Sequence, residues 1–427
     1  MTTPARSHPL RVLHACSIVQ EDPMLLPVPP VAGCAPCWNV YRLHEALADL
    51  APAELTAEVI SACERRQYAD VQAFPRRAVY RHVIFDEAAR RLSVAVKKRF
   101  RLSGDVLQRL VGTASWLAYR YMRAVRQYMQ QEGFDLLVLD DSPQNLNYLS
   151  RFIPPERLVF LLRAQVGMSR RYFDRVGAII VTNDNLADYA RQLLPAGADP
   201  AIYVVPNSLG YEFDRVEEMP HPQKDDSHPT VVFAGRFVKE KGVQELLRAF
   251  VRVREQVPGA RLRIVGGTGY ARNGRALDTP YVQQARQIAD TLPPGAVSFA
   301  GHVPYAQMPA EYLAADVAVF PSVWVEGFGM TALEAMRCGV PVVVSNRPGF
   351  TSFVRDGENG RVVADPTDAE ALAAAIVELL TDRQKAARMA AAGKATALRY
   401  TPEDTARAYT DALLTYAHRI GLWAKGE

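Results

Sequence analysis

The sequence predicts an α/β protein with two domains, each built on a doubly wound parallel sheet. Short apolar runs alternate with helix-like segments in both halves of the chain, which is typical of parallel strands joined by crossover helices. The polar, proline-rich segment Pro206–Pro229 separates the two series and is interpreted as a domain linker. The length of 427 residues allows about two to three domains.

The first domain is predicted over residues 1–210. Arg11–Cys16 is a short apolar run that fits a buried parallel strand, and Asn39–Leu50 repeats apolar residues at helical spacing. Further strands are predicted at Glu58–Ser61, Asp135–Leu139, Leu158–Leu162, Gly177–Val181 and Ile202–Val205.

The second domain is predicted over residues 211–401, where the alternation begins again. Its strands are expected at Thr230–Ala234, Arg261–Val265, Ala296–Ala300, Asp316–Phe320 and Pro341–Ser345. Its helices are expected at Val243–Gln256, from Met330, at Asp368–Leu380 and at Arg383–Arg399. A last helix begins with Pro402 in its first turn, and the segment 402–427 is expected to cross back to the first domain.

The composition favours a cytoplasmic protein, with peripheral contact at the inner face of a membrane as an option. Five cysteines are few and odd in number, which argues against a secreted disulfide framework. The sequence contains no run of about 18 apolar residues, so no membrane-spanning helix is expected. The N-terminus lacks the apolar stretch of a signal peptide. Cys34 and Cys37 have no second ligand pair nearby, so no metal site is expected. The net charge of +4 gives no reason to expect nucleic acid as a partner.

One segment, Arg65–Arg126, is strongly basic. It contains 15 Lys and Arg against 4 Asp and Glu, a net charge of +11, and includes the run Lys97, Lys98 and Arg99. Three interpretations stay open. The segment contacts an anionic membrane, steers an anionic acceptor, or forms a solvated helical face.

The most informative motif lies between residues 321 and 341. Glu326 and Glu334 stand eight positions apart, with Gly327 and Gly329 close to the first and a helix-like run around the second. Glycines let an anionic group approach the N–H groups of a helix N-terminus. Carboxylates accept hydrogen bonds from sugar or ribose hydroxyls. The motif therefore predicts a site that holds a nucleotide-sugar.

Two cations follow the first strand of the second domain. Arg236 and Lys241 lie between that strand and the next helix, where they can clamp a diphosphate and neutralise charge on a leaving group. Two further strand ends carry glycine turns. Gly266 is interpreted as a tight turn under the nucleotide base, and His302 with Val303 as a turn that contacts the base through its backbone.

Asp140 and Asp141 end a strand of the first domain. They either bind an acceptor or, in the case of Asp141, cap a helix. Asn207 either orients the domain hinge or is an ordinary turn residue.

These segments resemble family 4 retaining glycosyltransferases of the GT-B fold. The resemblance rests on Phe233–Gly242, Gly301–Pro304, Ala315–Ser322, Glu326–Glu334 and Cys338–Val343, which follow one another in the family's order. It implies two Rossmann-like domains that face a cleft. It thins out in the first domain.

The resemblance also implies roles for single residues. Arg236 and Lys241 hold the donor diphosphate, Glu334 accepts the ribose hydroxyls, and Glu326 contacts the donor sugar. Backbone amides come from Phe328, Gly329, Met330 and Thr331. No cofactor or metal is implied, because cations and a helix N-terminus take the metal's place. A UDP-sugar is the favoured donor, since uridine is the commonest donor base in the family.

The first domain departs from the family at two places. The family usually has a Gly-Gly turn in its first loop, and in the matching stretch Ala35–Tyr41 both glycines are replaced. This stretch resembles the Gly-Met-Asn-Val-Tyr stretch of inositol-using members, which places Asn39 near the donor phosphate or the acceptor. Many members carry a histidine after the strand matched by Val159–Leu162, where this chain has Arg163. That difference suggests an altered acceptor side, such as a charged acceptor, or a shifted alignment.

The sequence thus predicts an enzyme that transfers a sugar, with retention of configuration, from a nucleotide-diphosphate donor to an acceptor hydroxyl. The expected acceptor is a carbohydrate, a cyclitol or a lipid-linked glycan. A sugar-nucleotide epimerase and a non-catalytic nucleotide-sugar-binding partner are the alternatives.

Overall fold

The computed structural model describes residues 8–16, 25, 27–30, 35–99, 113, 115–140, 142–165, 170–267 and 279–423. The chain divides into two compact units, one formed by residues 1–208 with 402–427 and the other by residues 209–401. Each unit contains one parallel sheet covered by helices.

The strands of the first unit are β1 Leu10–Cys16, β2 Leu55–Glu64, β3 Val79–Phe85, β4 Leu136–Asp140, β5 Leu158–Leu162, β6 Ala178–Val181 and β7 Ala201–Val204. They form a seven-stranded sheet in the order β3-β2-β1-β4-β5-β6-β7. Every residue of β4 and β5 is buried, because helices cover both faces of a parallel sheet. The register places Cys16 opposite Asp140, so the carboxyl ends of β1 and β4 lie side by side.

The helices of the first unit before its last strand are α1 Ala35–Leu50, α2 Tyr68–Ala73, α3 Glu87–Arg99, α4 Trp116–Glu132, α5 Leu146–Leu149 and α6 Asp184–Leu193. The start and end of α4 follow directly from its sequence. The Ser115 side chain accepts a hydrogen bond from the Ala118 N–H at the start, and Gly133 ends the helix with a φ of 70°.

The second unit has a six-stranded sheet. Its strands are β8 Thr230–Ala234, β9 Arg261–Val265, β10 Val297–Gly301, β11 Val317–Phe320, β12 Val342–Ser345 and β13 Arg361–Val363, in the order β10-β9-β8-β11-β12-β13. Its helices are α7 Val243–Gln256, α8 Pro280–Ala289, α9 Met308–Leu313, α10 Met330–Arg337, α11 Pro348–Thr351, α12 Ala369–Thr381 and α13 Arg383–Ala397. The central β8 lies between β9 and β11 in the sheet. The strand order therefore reverses at β8, and the carboxyl end of β8 is the topological switch point where ligands bind in such sheets.

The C-terminal helix α14, Pro402–Arg419, belongs to the first unit, as the sequence predicts. Its apolar face, with Ala406, Tyr409 and Leu413, packs into the cluster that covers one side of the seven-stranded sheet. The hydroxyl of Tyr416 donates a hydrogen bond to the Glu156 carbonyl at 2.8 Å.

The sequence-based prediction misses β3, the edge strand of the first sheet. Its residues Val79, Arg81 and Ile84 are exposed, because an edge strand has a neighbouring strand on one side only. The charged and polar residues in this stretch hide the strand pattern. The prediction at Glu58–Ser61 is also too short, since β2 spans Leu55–Glu64.

The predicted linker Pro206–Pro229 is wrong in its first half. Leu209, Phe213 and Val216 are almost completely buried in the core of the second unit. Their ring and methyl groups pack there through two short 3-10 turns, 211–213 and 216–218. Prolines and charges dominate the composition of the segment and mask these three anchors.

Candidate functional site

The loops after β8, β9 and β10 meet at the carboxyl edge of the second sheet. The Gly266 N–H donates to the Gly301 carbonyl at 2.7 Å, and the Phe237 N–H donates to the Gly267 carbonyl at 2.8 Å. A Cβ on Gly266 would lie 1.8 Å from the carbonyl oxygen of Gly235, and its φ is 133°. Only glycine fits there, so Gly266 brings two strand ends together.

Arg236 and Lys241 lie in the loop between β8 and α7, as predicted. Arg236 is exposed, and within the described ranges no hydrogen bond or ion pair holds its guanidinium group. Lys241 ends the short 3-10 turn Lys239–Lys241, after which Gly242 takes a φ of 72° and starts α7. Arg236 is therefore available for an anionic ligand.

Lys241 is paired with Glu326. Its Nζ atom lies 2.9 Å and 2.7 Å from the two carboxylate oxygens, and both side chains are mostly buried. The Ser322 hydroxyl donates to Oε2 of Glu326 at 2.9 Å, and the Ser345 hydroxyl donates to the Ser322 carbonyl at 2.8 Å. Lys241 and the Ser322 hydroxyl thus hold the Glu326 carboxylate in place, and this carboxylate neutralises the charge of Lys241.

Helix α10 begins beside this pair. Gly329 precedes its first residue with a φ of 97°, and no side chain caps the helix. A Cβ on Gly329 would lie 2.4 Å from the Phe350 ring, and a Cβ on Gly349 would lie 2.4 Å from the Glu326 carbonyl oxygen. The first N–H groups of a helix have no acceptor within it and favour an anion.

The residues around the helix start offer mainly their backbone. The Phe328 side chain is buried and packs on Phe353 and Tyr400, with ring centroids 5.6 Å and 5.8 Å away. Met330 and Thr331 are half-buried, as is Gly327. This placement agrees with backbone contacts from the turn, whose role in donor binding stays a prediction.

Glu334 is held by two tyrosines. The Tyr305 hydroxyl donates to Oε1 at 2.9 Å and the Tyr312 hydroxyl donates to Oε2 at 3.0 Å. Glu334 is only 5% exposed. Burial, together with the neighbouring charge of Glu334, raises the pKa of Tyr312 well above its usual value, so this tyrosine stays a proton donor.

The turn after β10 contributes His302 and Val303. His302 is exposed, whereas Val303 is partly buried and packs against the core on that side of the sheet. Both stay candidates for contact with the nucleotide base.

In the first unit, three predicted residues form one buried network. Arg163 donates to both oxygens of Asp140, at distances from 2.9 Å to 3.2 Å, and its Nη1 donates to the Asn207 side-chain oxygen at 2.9 Å. His14 Nε2 lies 3.6 Å from Asp140. Burial raises the pKa of Asp140, but the charge and hydrogen bonds of Arg163, together with nearby His14, lower it more, so its pKa lies below the usual value.

This network changes how the acceptor-side predictions are understood. Arg163 has a buried counter-charge, so a charged acceptor is not needed to balance it. Asn39 lies on α1 and is 9% exposed. Asp141 and Cys34 lie outside the described residues.

Sequence reasoning misses several neighbours of the predicted residues. Tyr305, Tyr312 and Ser322 hold the two glutamates, and His14 joins the Asp140 network. No local pattern marks them, because each is separated in sequence from its partner or is a common residue type. In the described part of the chain, no group of three or more His, Cys, Asp or Glu could hold a metal ion. None of the described helices has the length and apolarity needed to cross a bilayer.

The second unit carries a recognisable family domain. Residues 214–396 match the family model described as glycosyl transferases group 1. This part of the chain is therefore similar to glycosyl transferases group 1. The sequence resemblance to GT-B glycosyltransferases is thereby confirmed, and the matched residues include the loop with Arg236 and Lys241 as well as both glutamates.

Relatives with an assigned activity match about half of the chain or less. A GDP-mannose-dependent alpha-(1-6)-phosphatidylinositol monomannoside mannosyltransferase of Mycolicibacterium smegmatis is 37% identical over 177 residues, 40% of this chain and 43% of the relative. A D-inositol 3-phosphate glycosyltransferase of Stackebrandtia nassauensis is 34% identical over 237 residues, 51% of this chain and 48% of the relative. The chain spans about half the length of the curated relatives it matches.

Solved structures share the fold over nearly the whole chain. Sucrose-phosphate synthase from Thermosynechococcus elongatus has a TM-score of 0.70 at 18% identity and covers 96% of this chain and 99% of its own. Anabaena HepE, solved with UDP and glucose, has a TM-score of 0.64 at 17% identity and covers 95% of this chain and 100% of its own. At these identities the likeness concerns the fold, and it confirms the predicted GT-B class.

Proposed function

We propose that the protein is a retaining glycosyltransferase that moves a sugar from a nucleoside-diphosphate donor to an acceptor hydroxyl. The observation that carries the proposal is the Lys241–Glu326 pair beside the uncapped start of α10. A cation, a carboxylate and free helix N–H groups stand at one sheet edge, where a sugar diphosphate needs all three.

The proposed chemistry is a front-side displacement at the anomeric carbon. The acceptor oxygen forms a bond to that carbon while the bond to the leaving diphosphate breaks on the same face. The diphosphate oxygen that leaves takes the acceptor's proton, so no separate base is required. Arg236, Lys241 and the N-terminus of α10 stabilise the negative charge that develops on the leaving group. Glu326 orients the donor sugar.

The donor base is the finer part of the proposal. The family resemblance favours a UDP-sugar, and a solved structure of the same fold contains UDP. Two relatives, at 37% and 32% identity, are named as GDP-mannose-dependent enzymes. Because these relatives are more similar in sequence than the UDP-bound structure, which is 17% identical, GDP-mannose comes first in a panel of donors and UDP-sugars second.

The acceptor is proposed to be a cyclitol or a glycan on a lipid. The names of two relatives mention phosphatidylinositol monomannoside and D-inositol 3-phosphate, which are both inositol-containing acceptors. The Asn39 segment resembles inositol-using members of the family, which supports the same class. Carbohydrate acceptors stay an alternative.

A lipid-linked acceptor would suit a basic aromatic surface on the first unit. Trp116, at the start of α4, is 50% exposed and stacks on Tyr119 at 5.0 Å. Phe152 is 46% exposed, and the guanidinium of Arg126 lies 4.2 Å from its ring centroid. Helix α4 has no acidic residue before Glu132. Exposed aromatics among arginines suit an anionic lipid surface, so we include peripheral membrane contact in the proposal.

One experiment tests the proposal against its rivals. The purified protein is incubated with GDP-mannose or a UDP-sugar in the presence of EDTA, with and without an inositol acceptor, and the products are followed by NMR. A new glycoside with the donor's anomeric configuration is expected. An altered sugar on the nucleotide without acceptor would indicate an epimerase. Binding without any turnover would indicate a non-catalytic partner, and restoration by a divalent ion would contradict metal independence.

A further inference from the structure

An open cavity of about 470 Å³ lies beside edge strand β3 in the first unit. It is open to solvent because β3 has a neighbouring strand, β2, on one side only. Helix α2, which connects these two strands, supplies part of its wall. The lining residues are Tyr68, Gln72, Arg76 and residues 78–82. The described acceptor-side residues, Asn39, Asp140 and Arg163, do not line this cavity.

The positive charge of the cavity is only partly compensated. The Arg81 guanidinium lies 3.2 Å from Glu58, which also accepts a hydrogen bond from the Tyr128 hydroxyl at 2.7 Å. Arg76 instead donates to the neutral side chain of Gln72, and no carboxylate among the described residues pairs with it. The described lining contains no Asp or Glu. The Arg76 guanidinium is therefore available as the counter-charge of an anion.

His82 shows that the charge of Arg76 is felt inside the cavity. Its Nε2 atom lies 2.9 Å from the Val28 carbonyl oxygen, and because a carbonyl only accepts, Nε2 carries the proton. Burial lowers the pKa of His82, the hydrogen bond to Val28 opposes this, and the charge of Arg76 lowers the pKa further. The Tyr68 ring stands edge-on to the imidazole, with centroids 5.9 Å apart.

These groups suit an oxyanion with several oxygens. Guanidinium groups present N–H donors in a planar fork that matches the oxygens of a phosphate. The Gln72 amide and the Tyr68 hydroxyl are neutral groups that also donate hydrogen bonds. The volume falls in the range of about 300–1,000 Å³ that is common for small-molecule sites. A sugar, a cyclitol or a glycerol backbone that carries the phosphate therefore has room in the cavity.

We propose that this cavity binds a phosphate monoester group, with Arg76 as its main counter-charge. The group belongs to a soluble sugar or cyclitol phosphate, or to a lipid headgroup. The site goes beyond the proposed function, because its residues are outside the donor and acceptor sets and binding requires no sugar transfer. Neighbouring cations are not equivalent to Arg76, since the adjacent Arg77 pairs with Asp49 and does not line the cavity.

The test uses inorganic phosphate as the probe and His82 as the reporter. The pKa of His82 is followed by NMR, and its signal is assigned by its loss in His82→Gln. Phosphate should raise this pKa in a saturable way, because a bound anion offsets the charge of Arg76. Sodium chloride of equal ionic strength controls for screening.

Two variants locate the binding site. Arg76→Gln should weaken phosphate binding about tenfold or more, as expected for the loss of a charged hydrogen-bond donor. Arg77→Gln is the matched control, because it removes an equal charge from the next residue and should bind phosphate like the wild type. Both side chains are exposed, so neither substitution disturbs the core.

The outcomes are distinct from those for the proposed function. The proposal is overturned if phosphate shifts the pKa of His82 no more than chloride does, or if Arg76→Gln binds phosphate as tightly as the wild type. Tighter binding of glucose 6-phosphate or inositol 1-phosphate than of inorganic phosphate supports a soluble ligand. Sedimentation with vesicles of phosphatidylcholine and phosphatidic acid that falls in Arg76→Gln but not in Arg77→Gln supports a lipid headgroup. None of these measurements requires transferase activity.

Discussion

The Nζ atom of Lys241 lies 2.7 Å from Oε2 of Glu326, and two separate loops of the second sheet are joined by this contact. The sequence assigns Lys241 to the diphosphate and Glu326 to the sugar, but their contact means that neither acts alone. A diphosphate that binds beside Lys241 must share that cation with the carboxylate. The pair can therefore couple donor binding to the orientation of the sugar.

Loss of either cation should slow the reaction. Arg236→Ala and Lys241→Ala are each expected to reduce transition-state stabilisation by about 2–4 kcal/mol, the range for the loss of a preorganised charge partner. The loss should be seen as a lower kcat/KM. Lys239→Ala is the control, since Lys239 is exposed in the same 3-10 turn and outside the predicted clamp. Steady-state kinetics on folded variants measure the effect. Wild-type rates for both variants would refute the clamp.

The two glutamates should respond differently to neutralisation. Glu334→Gln is expected to weaken binding of the donor and of the bare nucleoside diphosphate alike, because the family resemblance assigns its carboxylate to the ribose hydroxyls. Glu326→Gln should lower turnover and leave the affinity for the diphosphate nearly intact, because Glu326 is assigned to the donor sugar and the charge of Lys241 is unchanged. Calorimetry with the diphosphate compares them. Equal losses in the two variants would contradict the assigned roles.

Strand positions in the protein interior are well predicted from the sequence. The predicted strands Leu158–Leu162, Thr230–Ala234 and Arg261–Val265 have the observed bounds. Short apolar runs between turn residues are sufficient there, since both faces of a parallel sheet are covered. Edge strand β3 is missed because Arg81 and His82 interrupt its apolar run.

Tertiary contacts explain the rest of the differences. Tyr305 and Tyr312 are 29 and 22 residues from Glu334 in sequence, and no periodicity connects them. The Arg163–Asp140 pair links two strands, which a motif search along one segment does not detect. Leu209, Phe213 and Val216 lie among prolines and charges, so composition suggests a linker where three side chains fill a core.

The Asp140–Arg163 pair should matter for stability. Its side chains are 0% and 9% exposed, and removal of one partner leaves a buried charge without compensation. Asp140→Ala is expected to destabilise the protein by about 3–5 kcal/mol. Asp188→Ala breaks the exposed pair with Arg191 and should cost about 0–1 kcal/mol. Urea unfolding measures both, and similar small losses would show that Arg163 finds another partner.

Acidification should destabilise the first unit through His44. Burial, and then the charge of neighbouring His14, holds the pKa of His44 well below its ordinary value of 6.5. Below pH 6.5 the unfolded chain therefore binds a proton that the folded chain does not. The stability present above this pH is lost as the pH falls, by up to about 1.4 kcal/mol per pH unit for one such group.

Substitution of the histidine checks this slope. His44→Gln should flatten the dependence of the unfolding free energy on pH between about 5 and 6.5. His82, whose pKa is also lowered by burial, provides the comparison. His82→Gln should remove the separate contribution of His82 to the pH dependence of the unfolding free energy. A slope that is identical in the wild type and the His44→Gln variant would show that this histidine does not titrate differently on folding.

The last prediction concerns membrane contact through the basic aromatic surface. The protein should sediment with vesicles that contain anionic lipid, because arginines near such a surface contribute about 1 kcal/mol each and exposed aromatic rings can enter the headgroup region. Trp116→Ala together with Arg120→Gln and Arg123→Gln should reduce sedimentation. A second variant changes Lys97, Lys98 and Arg99 to Gln, in the basic run of α3. Leu398→Ala removes an equally exposed apolar side chain from the second unit and should change nothing.

If sedimentation persists but acceptor kcat/KM falls in a salt-sensitive way, the charges steer a soluble anionic acceptor. If neither quantity changes in the two variants, the segment 65–126 is a solvated surface and the membrane proposal is refuted.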